Sequence, residues 1–332
     1  MKDFKLSAEG SAYAVVHPNS DVLKASSSGG AFSLLASSVL KRNGAVYGCV
    51  FDKNMTARHI RVDCEDELVA MQGSKYVQSE MGTTYLQVRE DLHAGVPVLF
   101  TGTPCQVDGL RAFLGGQDEG LLCADLVCHG VPSGRMLSEY LDTSYRKNGS
   151  VKRLLFRNKR LGWSCGGGVL TEQNGQEKWW PLSQEISSYY DWFLSGDSYR
   201  ECCYRCPYAQ ATGRPGDFTI ADFWGVSSEA IDFDTSCGVS LVLVNTERGR
   251  EAAKEIFNGC VCVQRPIEEA IRENHQLSHP VERRLSRDEM TSVWVRKGMP
   301  AADMAWKHKH WFGIVKWHVK SFIKRILGRS VV

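Results

Sequence analysis

The sequence lacks long apolar segments. No stretch of its 332 residues reaches the ~18 consecutive apolar residues of a membrane-spanning helix. The first sixteen residues, MKDFKLSAEGSAYAVV, are polar where a signal peptide has its apolar segment. Internal repeats and low-complexity segments are also absent. With 43% apolar residues, the composition is that of a globular protein with a large core, and we predict a cytoplasmic location.

The cysteines do not follow the spacing of a small disulfide-stapled protein or of a regular zinc module. The chain is too long to need stapling by its twelve cysteines, and it has one close pair where a zinc module has two. Cys202, Cys203 and Cys206 form a tight group, whereas Cys105 and Cys128 stand alone in TGTPC and LVCHG. Four of these thiolates would suit zinc or an iron–sulfur cluster.

Both single cysteines follow apolar runs that are typical of buried strands, at 96–100 and 121–127. Ligands of open α/β sheets bind at the carboxyl ends of the strands, so we expect Cys105 and Cys128 at a site. The alternative is that both are small core residues. For the Cys-x-x-Cys pair, Cys203 and Cys206, a redox dithiol is a third possibility, although its irregular aromatic surroundings differ from those of thioredoxin.

Hydrophobic periodicity predicts an α/β fold of mixed α+β character. The first half alternates strand and helix patterns, and the second half contains a hairpin signal at Asn174-Gly175. We expect a central mixed sheet flanked by helices, an irregular cysteine-rich segment and a C-terminal basic helix.

The C-terminal segment differs in charge from the rest of the chain. Residues 305–332 contain seven Lys and Arg and no Asp or Glu, so the remaining chain has 33 basic and 38 acidic residues. At helical spacing the apolar residues gather on one side and the lysines on another: Trp311, Val315, Val319, Phe322, Ile323 and Ile326 against Lys316, Lys320 and Lys324. Such a helix would lie on an anionic membrane or an acidic partner, or pack on its own domain with a solvated lysine face.

A loop at residues 73–79 carries groups that suit a dinucleotide. Lys75 would contact phosphate, Tyr76 would stack on a ring, and Ser74 would donate hydrogen bonds. Backbone amides of the turn at 101–105 would bind phosphate or polarise a cluster sulfide. No G-x-G-x-x-G follows a strand, which argues against an ordinary Rossmann nucleotide site.

Seven motifs occur in the order found in one known family. They are SSSGGAF, GSKYVQS, LFTGTPCQV, DLVCHGVPS, CYRC, TIADFWG and GVSLVLVNTERG. Over roughly residues 10–260 the chain resembles the coenzyme F420 hydrogenase/dehydrogenase beta-subunit family. The resemblance implies an FAD-dependent oxidoreductase with a [4Fe–4S] cluster, related to F420-reducing hydrogenase and formate dehydrogenase beta subunits and to hydroxymethyl-chlorophyll reductase.

The resemblance also implies which residues hold the cofactors. The cluster ligands would be Cys105, Cys128, Cys203 and Cys206. The flavin-site candidates are Ser27, Ser28, Gly29, Gly30, Ser74, Lys75, Tyr76, Thr101, Gly102 and Thr103. We predict that Lys75 also acts catalytically by stabilising the reduced flavin anion.

The chain differs from many relatives because no C-x-x-C-x-x-C run precedes Ser26. We therefore expect electrons from a separate ferredoxin-like protein or partner redox subunit, a small-molecule two-electron acceptor and no nucleic-acid partner. The domain prediction is a flavin-binding half at 1–150, a cysteine-bearing half at 151–300 that packs with it, and a tail at 301–332. The competing hypothesis is a non-catalytic four-cysteine metal protein that carries electrons or docks a partner.

Overall fold

The computed structural model describes residues 12–159, 163, 166–226, 235–258 and 260–326, with the backbone alone for 324–326. Its strands are β1 (Ala12–Val16), β2 (Ala45–Phe51), β3 (Ala57–Val62), β4 (Val98–Gly102), β5 (Leu121–Leu126), β6 (Ser150–Leu155), β7 (Gly167–Gln173), β8 (Gln176–Leu182), β9 (Phe218–Asp222), β10 (Ser240–Val244) and β11 (Val261–Arg265). Its α-helices are α1 (Ser20–Ala25), α2 (Ala31–Leu40), α3 (Leu68–Met71), α4 (Thr84–His93), α5 (Pro104–Leu114), α6 (Gly134–Ser144), α7 (Ser188–Leu194), α8 (Glu247–Ile256), α9 (Ile267–Glu273), α10 (Leu285–Lys297) and α11 (Met299–Ile326).

The larger sheet has eight strands in the order β11-β1-β10-β9-β5-β4-β2-β3. Its centre, β2-β4-β5-β9, is parallel, and the flanking pairs are antiparallel. The carboxyl ends of the four parallel strands therefore meet at one edge of the sheet. Strands from both sides of residue 150 share this sheet, and the division into domains stays a prediction.

Helices cover both faces of the large sheet because successive strand residues point to opposite sides. On β2, Val46 packs in the cluster that contains Leu35 of α2, whereas Tyr47 packs in the cluster that contains Leu110 of α5. This explains why the parallel strands are continuous apolar runs rather than alternating ones.

A second sheet, β6-β7-β8, is antiparallel. Its β7–β8 hairpin turns at Asn174 and Gly175, whose φ angles of 53° and 75° belong to the left-handed region that such tight turns require. The aromatic cluster behind it includes Tyr189 of α7 and Trp306 of α11. The predicted hairpin is confirmed.

The predicted fold class is confirmed: a large mixed sheet is flanked by helices, followed by a cysteine-rich segment and a long C-terminal helix. The sequence did not indicate β1 or β11, which are five-residue strands. The C-terminal helix begins at Met299, just before the predicted tail at 301–332. The side chains of Lys324 and Ile326, like residues 327–332, lie outside the described part. In the described part of the chain, no helix has the length and apolarity needed to cross a bilayer.

Candidate functional site

A cavity of about 550 Å³ lies at the carboxyl edge of the parallel strands. This volume falls within the range of small-molecule and cofactor sites. Nine of the ten flavin-site candidates line it: Ser27, Ser28, Gly30, Ser74, Lys75, Tyr76, Thr101, Gly102 and Thr103. The tenth, Gly29, has a packing role, since a Cβ there would come within 2.1 Å of the Val15 carbonyl oxygen.

The turn before α2 presents backbone amides to the cavity. Gly30 is the N-cap residue of α2, with φ of 84°, and has no side chain to cap the helix, although the Ala31 amide donates to Ser240 Oγ at 3.3 Å. Ser27 Oγ lies 2.9 Å from Ser74 Oγ and accepts a 2.8 Å hydrogen bond from the Ser74 amide. A helix start that its own N-cap residue leaves uncapped, with adjacent hydroxyls, is a suitable binding site for phosphate.

Lys75 lines the cavity, but its ammonium protons are already engaged. Nζ donates to the carbonyl oxygens of Ala70, Met71 and Gln72 at 3.1, 2.8 and 2.9 Å. Burial lowers the pKa of Lys75 to about 8, and a negative charge on Cys49 would raise it. Lys75 is thus a fixed charge at the end of α3, and its catalytic role stays a prediction.

Tyr76 belongs to an aromatic cluster at the cavity wall. Its ring stacks on Phe193, with centroids 4.1 Å apart and an interplanar angle of 5°, and lies 4.9 Å from Phe156. Its backbone carbonyl accepts a 2.7 Å hydrogen bond from the Tyr189 hydroxyl. One ring face is therefore already occupied by Phe193, which leaves only the other for a ligand.

A buried hydrogen-bond chain joins the 73–79 loop to β4 and α5, and sequence patterns did not reveal it. Gln106 Nε2 donates to Ser79 Oγ at 2.8 Å, Ser79 Oγ lies 2.9 Å from His59 Nδ1, and His59 Nε2 lies 2.8 Å from the Thr101 carbonyl oxygen. Burial lowers the pKa of His59 to about 4, so the ring is neutral and Nε2 must donate. These hydrogen bonds hold the 73–79 loop, β4 and α5 in a fixed arrangement around the cavity.

A second set of polar side chains lines the cavity around Arg157, a residue that sequence analysis did not identify. Its Nη1 lies 3.2 Å from Asp222 Oδ2, and its guanidinium lies 5.1 Å from the ring centroid of Trp224. Asp222 also accepts a 2.9 Å hydrogen bond from Trp163 Nε1. Asp222 and Trp224, at the end of β9, therefore line the cavity together with Arg157.

The four candidate ligand cysteines come from three elements. Cys105 is the second residue of α5, and its Sγ lies 3.2 Å from Thr103 Oγ1. Cys128 follows the end of β5 by two residues. Both line the cavity, whereas Cys203 and Cys206, in and directly after the 3₁₀ helix Glu201–Arg205, do not.

Electrostatics shows that these sulfurs are neighbours. Burial raises the pKa of the Cys128 thiol to about 12, and negative charge on Cys203, Cys105 or Cys206 would raise it further. Burial also raises the pKa of Cys203, to about 11, and that of Cys206. Among the described residues, no three of the four sulfurs lie within 4.8 Å of one another.

Two contacts hold the Cys-x-x-Cys segment beside Cys128. The Arg200 amide donates to the Val131 carbonyl at 3.1 Å. A Cβ on Gly130, whose φ is 135°, would meet the Tyr199 ring at 2.4 Å, so only glycine permits this approach. The glycine of the LVCHG motif thus serves tertiary packing.

A fully buried ion pair joins the same two regions. Arg214 Nη2 lies 2.7 Å from Asp125 Oδ1 on β5. Nη1 and Nη2 of Arg214 donate to the carbonyls of Tyr208, Gln210 and Leu126, and Asp125 Oδ2 accepts from the Gly216 amide. The loop after Cys206 is therefore tied to the strand that ends beside Cys128. Sequence analysis used Asp125 only as the first residue of the DLVCHGVPS motif, and Arg214 carried no signal that it could use.

Comparison with known proteins gives several similar solved chains and one family. One of the similar structures is described as the xenon derivatization of the F420-reducing [NiFe] hydrogenase complex from Methanosarcina barkeri. One of its chains is 17% identical, with a TM-score of 0.51, and the match covers 82% of this chain and 91% of that one. This likeness concerns the fold. No curated protein matches.

The family model for the C terminus of the coenzyme F420 hydrogenase/dehydrogenase beta subunit matches residues 96–270. That range is just over half of the chain and contains all four candidate ligand cysteines. The SSSGGAF and GSKYVQS motifs precede it, so the flavin-site candidates before residue 96 depend on the cavity geometry. The chain belongs to the coenzyme F420 hydrogenase/dehydrogenase beta-subunit family.

Proposed function

We propose that this protein is an oxidoreductase that passes electrons between an iron–sulfur centre and a two-electron acceptor through FAD. The membership of a hydrogenase and dehydrogenase family supports an oxidoreductase role. The observation that carries the finer proposal is that Cys105 and Cys128 belong both to the cysteine group and to the cavity wall. A cluster held by them would lie against a flavin in the cavity. When bound, the two cofactors would supply the exchange between one-electron and two-electron transfer.

The cavity fits the chemistry of FAD. The uncapped start of α2, with Ser27 and Ser28 before it, would bind the pyrophosphate. The aromatic wall around Tyr76 would contact the flavin ring and exclude water. Lys75 would place a positive charge near the reduced flavin without donating a hydrogen bond to it, because its protons already bind three carbonyls.

The spacing of the sulfurs favours an iron–sulfur cluster over a single zinc ion. Four thiolates bound to one zinc at 2.3 Å lie about 3.8 Å from one another. A cubane separates its terminal sulfurs by ~6–7 Å. No three of the four sulfurs, all of them in the described part of the chain, lie within 4.8 Å of one another, which is a wider spacing than one zinc ion requires. The thiols would lose their protons when metal binds.

The electron donor would be a ferredoxin-like protein or a partner redox subunit, and the final acceptor a small molecule. A partner subunit is supported because one of the similar solved structures is that of a hydrogenase complex. Membrane contact through the C-terminal helix is a separate hypothesis, because it depends on neither cofactor.

The decisive experiment is anaerobic purification followed by metal analysis, flavin analysis and an ultraviolet–visible spectrum. Four irons and one FAD per chain, with flavin bands above a broad ~400 nm shoulder, are the expected result. One zinc per chain without flavin would contradict the proposal and support the non-catalytic four-cysteine protein.

A pair of variants tests the flavin site separately. Ser27→Asp adds negative charge at the start of α2 and should abolish FAD retention while iron content stays unchanged. Ser138→Asp makes the same change on the exposed face of α6 and should retain both cofactors. Equal FAD content in the two variants would exclude the α2 start from the site.

A further inference from the structure

The C-terminal helix α11 has two apolar sides. One side packs on the domain. Trp306 is only 5% exposed, and Ile314 packs against the aromatic cluster that contains Tyr189. The helix lies against α6, α7 and α10. The other side faces solvent. Its exposed members include Trp311, Phe312 and Phe322, at 63%, 67% and 64% exposure.

The solvent-facing side is a continuous stripe, here called the exposed arc. Its members are Trp311, Phe312, Val315, Val319, Phe322 and Ile323. At 3.6 residues per turn they span about 120° of the helix circumference. Trp306, Ile314 and Trp317 project on the opposite side of the helix. The domain therefore lies behind the helix, and a flat surface could approach the arc without touching the domain.

A row of lysines borders the exposed arc along one edge. Lys309, Lys316 and Lys320 follow this edge and are exposed, and Lys307 lies along the other edge. Lys307 binds Asp303, the last acidic residue of the sequence. From Met304 onward there is no carboxylate side chain to neutralise the remaining cations.

We propose that the exposed arc binds an anionic lipid surface, with α11 lying in the plane of the headgroups. An apolar stripe bordered by lysines can enter the acyl boundary while the lysines reach lipid phosphates. The attraction would add over several cations. The helix is not apolar enough to cross the bilayer, in accord with an interfacial position.

The distribution of charge favours lipid over two other occupants. An antiparallel pair of these helices facing each other would bring their lysine rows together, which is repulsive. A protein groove would cover the apolar stripe alone, and the lysine row would serve it only if the adjacent rim were acidic. An anionic bilayer supplies negative charge along the whole lysine row.

The test is co-sedimentation of the full-length protein with vesicles of phosphatidylcholine, with or without ~30% phosphatidylglycerol. At low salt we expect the apparent partition coefficient to be at least tenfold higher for anionic vesicles. It should fall several-fold at high salt. Equal recovery of the protein in the supernatant with both vesicle types would overturn the proposal and leave an acidic protein partner as the explanation.

Two sets of variants separate the apolar and electrostatic contributions. Trp311→Ser/Phe322→Ser should abolish binding, whereas Val69→Ser/Val295→Ser, which alters exposed apolar residues elsewhere, should not. Unchanged binding of the first variant would show that charge alone attracts the protein and would overturn insertion of the arc. A wild-type dimer that this variant dissociates, in the absence of lipid, would overturn the proposal in favour of a second copy.

The charge variants follow the same logic. Lys309→Glu/Lys316→Glu/Lys320→Glu should reduce the partition coefficient at least tenfold. The control, Lys53→Glu/Lys147→Glu/Lys254→Glu, makes the same net change at exposed positions outside α11 and should bind like the wild type. Equal losses in both variants would indicate a general effect of net charge and contradict the role of the arc. Thermal unfolding of all variants verifies that each is folded.

Discussion

The cysteine site and the second half of α11 were both indicated by sequence patterns, yet the fold treats them differently. Around the cysteines, the chain supplies partners to its own buried polar groups, as Arg214 does for Asp125. On α11, the chain leaves six large apolar side chains in water. The first region satisfies its own buried polar groups and lacks only the cofactors proposed for it, whereas the second presents an apolar surface that a binding partner would have to cover.

The difference shows what each region requires from outside. Unpaired buried charges are costly, so the fold must satisfy them before any cofactor binds. Exposed apolar groups cost nothing in folding but gain free energy when a partner removes them from water. Substitutions should therefore affect stability and cofactor retention in the first region, and only association in the second.

The largest expected effect is loss of the cluster. Cys206→Ser should remove all cluster iron, because it deletes a ligand without altering the cavity wall. Iron analysis and the visible spectrum of the anaerobically purified protein measure this. Cys260→Ser, at a thiol that contacts the Ile256 carbonyl far from the site, should retain iron. Full iron in Cys206→Ser would remove this cysteine from the ligand set.

The next largest effect concerns the buried ion pair. Arg214→Met should lower the free energy of unfolding by about 3–5 kcal/mol, because it leaves the Asp125 carboxyl group buried without its cationic partner. Urea denaturation provides the measurement. Arg283→Ala breaks exposed pairs with Asp288 and Glu201 and should leave the free energy of unfolding nearly unchanged. Similar losses in both variants would contradict the importance of the buried pair.

The two sides of α11 can be compared directly at two tryptophans. Trp306 is buried and donates a 2.7 Å hydrogen bond from Nε1 to Asp191 Oδ2, so Trp306→Ala should cost about 3–5 kcal/mol. Trp311→Ala should change stability by less than about 0.5 kcal/mol, because its ring is in water. A large loss of unfolding free energy in Trp311→Ala would mean that the exposed arc packs on the domain after all.

The smallest effect is a pH dependence due to Lys75. Its pKa in the folded protein, about 8, lies below its ordinary value of 10.5. Between these pH values the unfolded chain holds the proton and the folded one does not, so stability rises with pH. The difference in unfolding free energy between the wild type and Lys75→Met should therefore increase by about 1–2 kcal/mol over this pH range, after allowing for screening by the cavity. A difference independent of pH between 8 and 10.5 would contradict the lowered pKa.

Several features could be predicted because they depend on local patterns. The apolar runs of β4 and β5 end just before Cys105 and Cys128, and the alternation of strands and helices placed both at one sheet edge. Thr103, a favoured N-cap residue, and Pro104, a favoured first helical residue, mark the start of α5 in the same local way. The strands β1 and β11 were not predicted, because they pair with each other from nearly opposite ends of the chain, and such a pairing leaves no local pattern.

The sequence by itself determined the mixed α/β class, the strand-end cysteines and the two-sided pattern of the C-terminal helix, because each follows from residue types within one segment. Tertiary structure alone decided which distant segments meet. Gly130 admits Tyr199, Arg214 binds Asp125, and Lys75 is held by carbonyls rather than left open to a ligand. Packing and burial between segments far apart in the chain produce these contacts, and such contacts leave no local periodicity to detect.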